Sequence, residues 1–295
     1  MGAILRTASA SRLSTFRECP RKFRYKYLDN REPAREASAL AIGRAWHSAL
    51  ERWWDGDMEA AAQWLIAKAE DIEAIDAAKL TAMLRHYTPP ADGWDVLATE
   101  REFDVPVLDT DGSAIYGWRF TGRVDLLLGN GEAMVVVDHK TTATDLAGSS
   151  YWDALQVDAQ MAAYCLAFGT DRFAYDVARK PSLKPSRADE KKATESEGAI
   201  SVMDAYQERI EVAIGKAPHS WFQWREYVKT EEDISEARRD LAQTIHALDS
   251  TIRRGRYYRN PNSCTGRFGV CPYLEVCCGR ESLDGDGFRD REWRR

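Results

Sequence analysis

The stretch that most constrains this chain is GWRFTGRVDLLLGNGEAMVVVDHKTT, residues 117–142. Two runs rich in Val and Leu flank Gly129-Asn130-Gly131, and apolar runs bounded by a Gly/Asn turn predict an antiparallel β-hairpin. Asp125 lies in the first strand, and Asp138 and Lys140 end the second. Side chains alternate along a strand, so Asp138 and Lys140 share one face while His139 points to the other. The antiparallel partner lets Asp125 approach the same face. The hairpin therefore predicts two carboxylates and an ammonium converging at one end of a sheet.

That grouping has a definite chemical use. Hard oxygen ligands suit Mg²⁺ or Mn²⁺, a bound ion activates water and neutralises charge on a phosphoryl oxygen, and a nearby lysine orients the water or stabilises the transition state. Phosphodiester hydrolysis is the chemistry it suggests. Taken alone, Asp138 and Lys140 would equally make an exposed ion pair of little energetic weight, so the rest of the chain has to decide.

The chain has 295 residues and 44% hydrophobic content, enough for one large domain or two small ones with a real core. No apolar run approaches the length of a membrane span, and Met1–Ala10 lacks the apolar core of a signal peptide. A net charge of −6 does not advertise a nucleic-acid binder, although metal ligands could account for part of the acidity. Locally the balance reverses: Arg12, Arg17, Arg21, Lys22, Arg24 and Lys26 make a basic segment interleaved with aromatics, or simply a solvated helix face. Of six cysteines, Cys264, Cys271, Cys277 and Cys278 fall within fifteen residues, while Cys19 and Cys165 stand apart. Without a secretion signal such a cluster points to metal binding in a reducing cytoplasm.

In chain order, residues 11–28 suggest two short helical pieces broken near Pro20. Residues 38–54 form an amphipathic helix pattern in which His47 and Glu51, four apart, share a face. Residues 57–87 continue as helix until Pro89-Pro90. Residues 97–108 alternate like a strand carrying Glu100, and Asp109-Thr110-Asp111-Gly112 turns the chain into the hairpin. Residues 151–168 read as one helix with Gln160 and Tyr164 on one face, and 172–180 as a strand. Residues 181–200 have too little apolar surface to fold alone and are expected to be a mobile loop. Helix 201–214, strand 221–228 and helix 231–254 complete an α/β body. In the loop-rich segment 260–280, Cys264, Cys271 and Cys277 are spaced to share one metal centre, and residues 281–295 read as a tail. Cys278 adjoins Cys277 and rarely could such neighbours reach one centre together, which leaves Cys19 as the donor that completes a Cys₄ set.

Together these pieces resemble the RecB-like branch of the PD-(D/E)XK nuclease superfamily, and within it the stand-alone iron–sulfur exonucleases related to the Cas exonuclease of CRISPR adaptation and the AddB nuclease domain. The resemblance runs from F-x-x-C-P-x-K-F-x-Y at Phe16–Tyr25 to the cysteine cluster, nearly the whole chain, with the motifs in the family's order. It implies an α/β, restriction-endonuclease-like fold: a mixed central sheet flanked by helices in a single domain over 1–295. Segments 11–30 and 260–280 would be tied by a Cys₄ metal cluster.

Residue by residue, G-x-x-x-H-x-x-x-E matches Gly43, His47 and Glu51, G-x-x-D matches Gly122 and Asp125, D-x-K matches Asp138 and Lys140, and Q-x-x-x-Y matches Gln160 and Tyr164. The resemblance implies that His47, Asp125, Asp138 and the His139 carbonyl hold Mg²⁺ or Mn²⁺. Lys140 would assist the attacking water, and Gln160 and Tyr164 would position the substrate strand. Glu100 stands where some relatives carry an acid. The family's iron–sulfur pattern pairs one early cysteine with a late C-x₂-C-x₅-C. Cys271 and Cys277 keep the last spacing, but six residues separate Cys264 from Cys271. Four thiolates suit a [4Fe–4S] cluster and also zinc; the resemblance favours iron–sulfur.

The implied function is a metal-dependent DNA exonuclease acting on single strands or duplex ends, in recombination and repair, CRISPR adaptation or phage DNA metabolism, within the cytoplasm of a bacterial, archaeal or phage-infected cell. No G-x-x-x-x-G-K-[ST] occurs, so a helicase or a CRISPR or recombination partner would be a separate chain. Two alternatives stay open: a structure-selective endonuclease, and a non-catalytic iron–sulfur DNA-binding assembly protein.

Overall fold

In the computed structural model, which describes residues 6–34, 38–67, 72–88, 93–197, 199–266 and 269–291, the Gly129–Gly131 turn joins two strands as the alternation requires. The elements run β1 (Thr7–Ala8), α1 (Ala10–Glu18), α2 (Pro20–Phe23), β2 (Arg31–Pro33), α3 (Ser38–Trp54), α4 (Met58–Ala67) and α5 (Ala74–Arg85). Next come β3 (Asp95–Leu108), β4 (Ala114–Gly129), β5 (Met134–Thr142), α6 (Ser149–Gln156), α7 (Ala159–Phe168) and β6 (Arg172–Arg179). The chain continues through α8 (Arg187–Glu195), α9 (Val202–Lys216), β7 (Phe222–Val228), α10 (Glu231–Arg254), β8 (Thr265–Gly266), β9 (Gly269–Val270), α11 (Leu274–Cys277) and β10 (Phe288–Asp290). They fall into two compact units: one comprises residues 1–36, 102–122 and 231–295, the other residues 37–101 and 123–230. The long strands β3 and β4 contribute residues to both.

The second unit carries a mixed sheet. β4 pairs antiparallel with β5, from Leu126↔Val137 to Gly129↔Met134, and β3 lies against β4. The turn between β4 and β5 is closed by the Asn130 side chain, which accepts from Glu132 N–H at 3.1 Å and Ala133 N–H at 2.9 Å, a local bond that makes Asn a turn former. β5 and β6 run parallel, from Val135↔Arg172 to Thr142↔Arg179, and β7 returns antiparallel on β6. Parallel neighbours need a crossover, which α6 and α7 supply. Such strands are covered on both faces, hence the unbroken buried runs Val135–His139 and Phe173–Ala178. The core joins Val135 and Val137 to Trp46 and Leu50 of α3, Met83 of α5 and Ile210 of α9.

Several sequence expectations need correction. The stretch 151–168 is two helices, because Asp158 caps a fresh one, its side chain accepting from Gln160 N–H at 2.8 Å. Likewise 57–87 divides into α4 and α5; Pro89-Pro90 lies outside the described residues. The segment expected as a loop at 181–200 contains α8. Ser186 and Asp189 form a capping box, and buried Asp189 accepts from Arg209 Nε and Nη2 of α9 at 2.8 Å each. A cap and an ion pair order it in place of apolar area.

In the first unit, β1 pairs parallel with the early part of β4, Ala8 opposite Phe120. Cys19 ends α1 with an extended backbone and Pro20 opens α2, the expected break. Residues 288–290 are not a loose tail: β10 pairs antiparallel with β2, Phe288 opposite Pro33, and Phe288 stacks on Tyr273 with ring centres 5.4 Å apart. Among the described residues no helix is long and apolar enough to cross a membrane.

Candidate active site

The alternation of β5 places the predicted charges together. Lys140 Nζ lies 2.6 Å from Asp138 Oδ2. Asp125, delivered by β4, accepts the His139 backbone N–H at 2.8 Å on the Oδ2 that also faces His47 Nδ1 at 3.3 Å. His47 reaches this point from α3. The four groups set one another's protonation. Burial acts to raise Asp125, but the charge and hydrogen bond of His47, then His139, hold it well below the usual carboxylate range. Burial raises Asp138, opposed by Lys140 and reinforced by the Asp125 charge. Burial works against the charged forms of Lys140 and His47, yet Asp138 for the one and Asp125 for the other more than offset it, and both are raised.

Gln160 and Tyr164 join the same cluster from α7. Gln160 Nε2 donates to Asp138 Oδ1 at 2.8 Å and to the Tyr164 hydroxyl at 3.3 Å. The Asp158 cap fixes where α7 begins and therefore where Gln160 sits. Glu100 of β3 is ion-paired to Arg123 Nε at 2.5 Å, and its carboxyl is raised by burial first, with Arg123 opposing and the Asp125 and Glu51 charges reinforcing. Its backbone is left-handed, with φ of 47°, a conformation that costs a non-glycine residue about 1 kcal/mol. Arg123, its partner, is a site residue that sequence reasoning missed.

His139 points to the opposite side, as alternation demands. Its Nδ1 lies 2.8 Å from Asp176 Oδ2 of β6, the Tyr87 hydroxyl donates to the same oxygen at 2.5 Å, and Trp54 Nε1–H donates to Tyr87 at 3.3 Å. Asp138, His139 and Asp176 are only 4%, 2% and 3% exposed, a depth at which polar groups have to be paired. Asp176 was also missed. Its signal in the sequence is an acid within the apolar run RFAYDVAR of a buried strand.

Among the described residues no three His, Cys, Asp or Glu side chains are placed to close on one ion. The donor chemistry nevertheless fits a hard divalent cation. Asp138 Oδ2 is buried and faces the Lys140 ammonium at 2.6 Å, with no further partner among the described residues. Two adjacent carboxylates, Asp138 and Asp125, are a place that a cation would stabilise.

The cysteines gather separately, within the first unit. Cys19, Cys264, Cys271, Cys277 and Cys278 line one cavity of about 180 Å³ together with Lys22 and Tyr273. All are free thiols. Burial raises the Cys271 thiol, and the neighbouring Cys264 and Cys277 add to it; burial likewise raises Cys277, with Cys19 contributing. Thiols gathered on one cavity are the donor chemistry that zinc and iron–sulfur centres take. Cys278 is exposed and interacts with Arg280.

With this geometry in hand, comparison places the chain. It matches the PD-(D/E)XK nuclease superfamily over residues 7–278, and it belongs to that superfamily. Among solved structures it is similar to a protein from Eubacterium rectale described as a putative exonuclease, at 13% identity and a TM-score of 0.51, over 96% of this chain and 91% of that one. The structure of SSO0001 aligns over 94% of this chain and 88% of that one at 13% identity, with a TM-score of 0.39. No curated protein sequence matches the chain significantly. The mixed sheet with flanking helices is the fold that the superfamily resemblance implies.

Proposed function

We propose that this protein is a metal-dependent deoxyribonuclease acting as an exonuclease on single-stranded DNA or duplex ends. The observation that carries the reading is the convergence of Asp125, Asp138 and Lys140 where β4 and β5 pair, with Lys140 Nζ 2.6 Å from Asp138. Membership of a nuclease superfamily supports it, and the described role of the Eubacterium rectale protein favours the exonuclease form.

Asp125, Asp138 and His47 would hold Mg²⁺ or Mn²⁺, with the His139 carbonyl as a further ligand. When bound, the ion supplies Lewis acidity at a phosphoryl oxygen and lowers the pKa of water. The chain's own groups do the rest. Lys140, kept protonated by Asp138, offers a fixed positive charge where negative charge develops on the phosphoryl oxygens, and orients the attacking water. Gln160 steadies Asp138 through Oδ1, and with Tyr164 it would position the substrate strand. Glu100, tied to Arg123, borders the Asp125 side of the cluster. In the first unit, Cys19, Cys264, Cys271 and Cys277 would bind a [4Fe–4S] cluster, or zinc, as a structural staple.

The test is degradation of end-labelled DNA, single- and double-stranded, linear and circular, by anaerobically purified protein with Mg²⁺, Mn²⁺ or EDTA. Metal-dependent loss of linear single strands with circles spared is expected. Cut circles would replace the exonuclease with an endonuclease, and protein that binds DNA but cleaves nothing would put a non-catalytic binder in front.

A further inference from the structure

A second cavity, about 270 Å³ in volume and within the unit that carries the charged cluster, opens between the ends of β5 and β6 and the helix α5. Its polar lining is Asp76 and Lys79 from α5 and Lys180 and Ser182 from the chain after β6, with Leu80 and Met83 as an apolar wall. Because β5 and β6 are parallel, both strands end on the same side, and Lys180 N–H donates to the Thr142 carbonyl at 2.7 Å. Ligands in α/β sheets bind beyond the carboxyl ends of parallel strands. Ala143, which also lines the cavity, follows Lys140 by three residues, about 10 Å along an extended strand.

The charges in this cavity do not balance. Lys79 is answered by Asp76, with Nζ 3.2 Å from Oδ1. Among the described residues, Lys180 has no hydrogen-bond or ion-pair partner for its ammonium. The Lys180 amine is pushed down by burial first, with the Asp76 charge opposing and the Lys79 charge adding to the shift. One carboxylate thus serves two ammonium groups, and an anion would complete the set.

We propose that this cavity is a phosphate-binding subsite, in which Lys180, with Ser182 beside it, holds a non-scissile phosphate of the nucleic-acid strand a few nucleotides from the cut. The inference rests on the nuclease reading for its substrate. The apolar wall of Leu80 and Met83 suits the sugar and base attached to such a phosphate. The same chemistry serves a backbone diester and a terminal monoester.

The experiment measures binding of a fluorescent single-stranded oligonucleotide, with and without a 5′-phosphate, in EDTA so that nothing is cleaved. Wild-type protein, Lys180→Gln and Lys180→Arg are compared across a salt series, with thermal melts to confirm that each variant is folded. For Lys180→Gln the slope of log K against log[salt] should fall by about 0.7, one phosphate contact on a single strand, and Lys180→Arg should restore it. Equal loss on both oligonucleotides assigns the cavity to a backbone phosphate; loss confined to the phosphorylated one assigns it to the strand end. An unchanged slope in folded Lys180→Gln overturns the proposal. Titration of inorganic phosphate followed by ³¹P line broadening separates the two readings: wild-type protein that binds phosphate through Lys180 but neither binds nor cuts DNA keeps the anion site and loses the nuclease. Wild-type protein that binds neither phosphate nor DNA overturns both.

Discussion

The charged cluster on β4 and β5 and the cysteine cavity are both gatherings of polar side chains, and they are held in different ways. The first is delivered by regular structure: strand alternation sets Asp138 and Lys140, a helix cap sets Gln160, and the charges answer one another across 2.6–3.3 Å. The second is delivered by a helix break at Pro20, two strands of two residues each and a single helical turn, Leu274–Cys277. Its apolar support is a small cluster of Tyr25, Tyr273 and Phe288. The difference teaches that the first arrangement stands on regular structure, whereas the second rests on a short, loop-rich framework with little core, the kind of segment that the proposed metal would staple.

The largest expected effect falls on the charged cluster. Asp138→Ala should reduce cleavage of end-labelled DNA at least about a thousandfold, and Lys140→Ala about a hundredfold. Both variants should remain folded, with a cooperative thermal transition and any metal at the cysteines retained. Wild-type rates from either variant would refute the assignment.

Next comes Cys19→Ala, which should lose the visible absorbance of the cluster and soluble protein together. An unaltered spectrum would sink the Cys₄ reading and blur the contrast between the two regions. The corresponding change in the sheet, Asp176→Ala, strands the buried His139 ring and Tyr87 hydroxyl without their shared acceptor. It should cost about 3 kcal/mol in urea unfolding with no change in the cysteine spectrum.

The smallest effect is a pH dependence. Arg209 first, and then Ser186, hold the Asp189 carboxyl at about 2, against an ordinary value of 3.8. A depressed carboxylate adds stability that is complete above the ordinary value and is lost as pH falls through the depressed one. Thermal unfolding followed from pH 4 down to pH 2 should therefore be less pH-dependent in Asp189→Asn. Equal slopes in variant and wild type would remove the ion pair as the reason α8 is ordered.

The charged cluster was largely legible in the sequence because a strand period of two and a Gly/Asn turn are local signals. His47, Asp125, Asp138, Lys140, Gln160 and Tyr164 do come together. What escaped depends on distant partners. Asp176 meets Tyr87 from 89 positions away, and nothing local announces that pairing. The order in 181–200 comes from Arg209 reaching back to Asp189, and the pairing of β10 with β2 joins Asp290 to Arg31 across almost the whole chain. The second lysine cavity follows from β5 and β6 being parallel, a tertiary fact that strand propensity does not contain.

The division of the chain into units also sets an order of manufacture. The unit that carries the charged cluster draws nothing from beyond residue 230, whereas the cysteine unit needs residues from 231 onwards. Cys277 follows Thr230 by 47 residues, an interval of about 2 to 9 seconds at ordinary rates of translation. At the start of that interval a nascent chain on the ribosome already contains every member of the charged cluster but only Cys19 of the four proposed thiol ligands; Cys264, Cys271 and Cys277 are added as it runs.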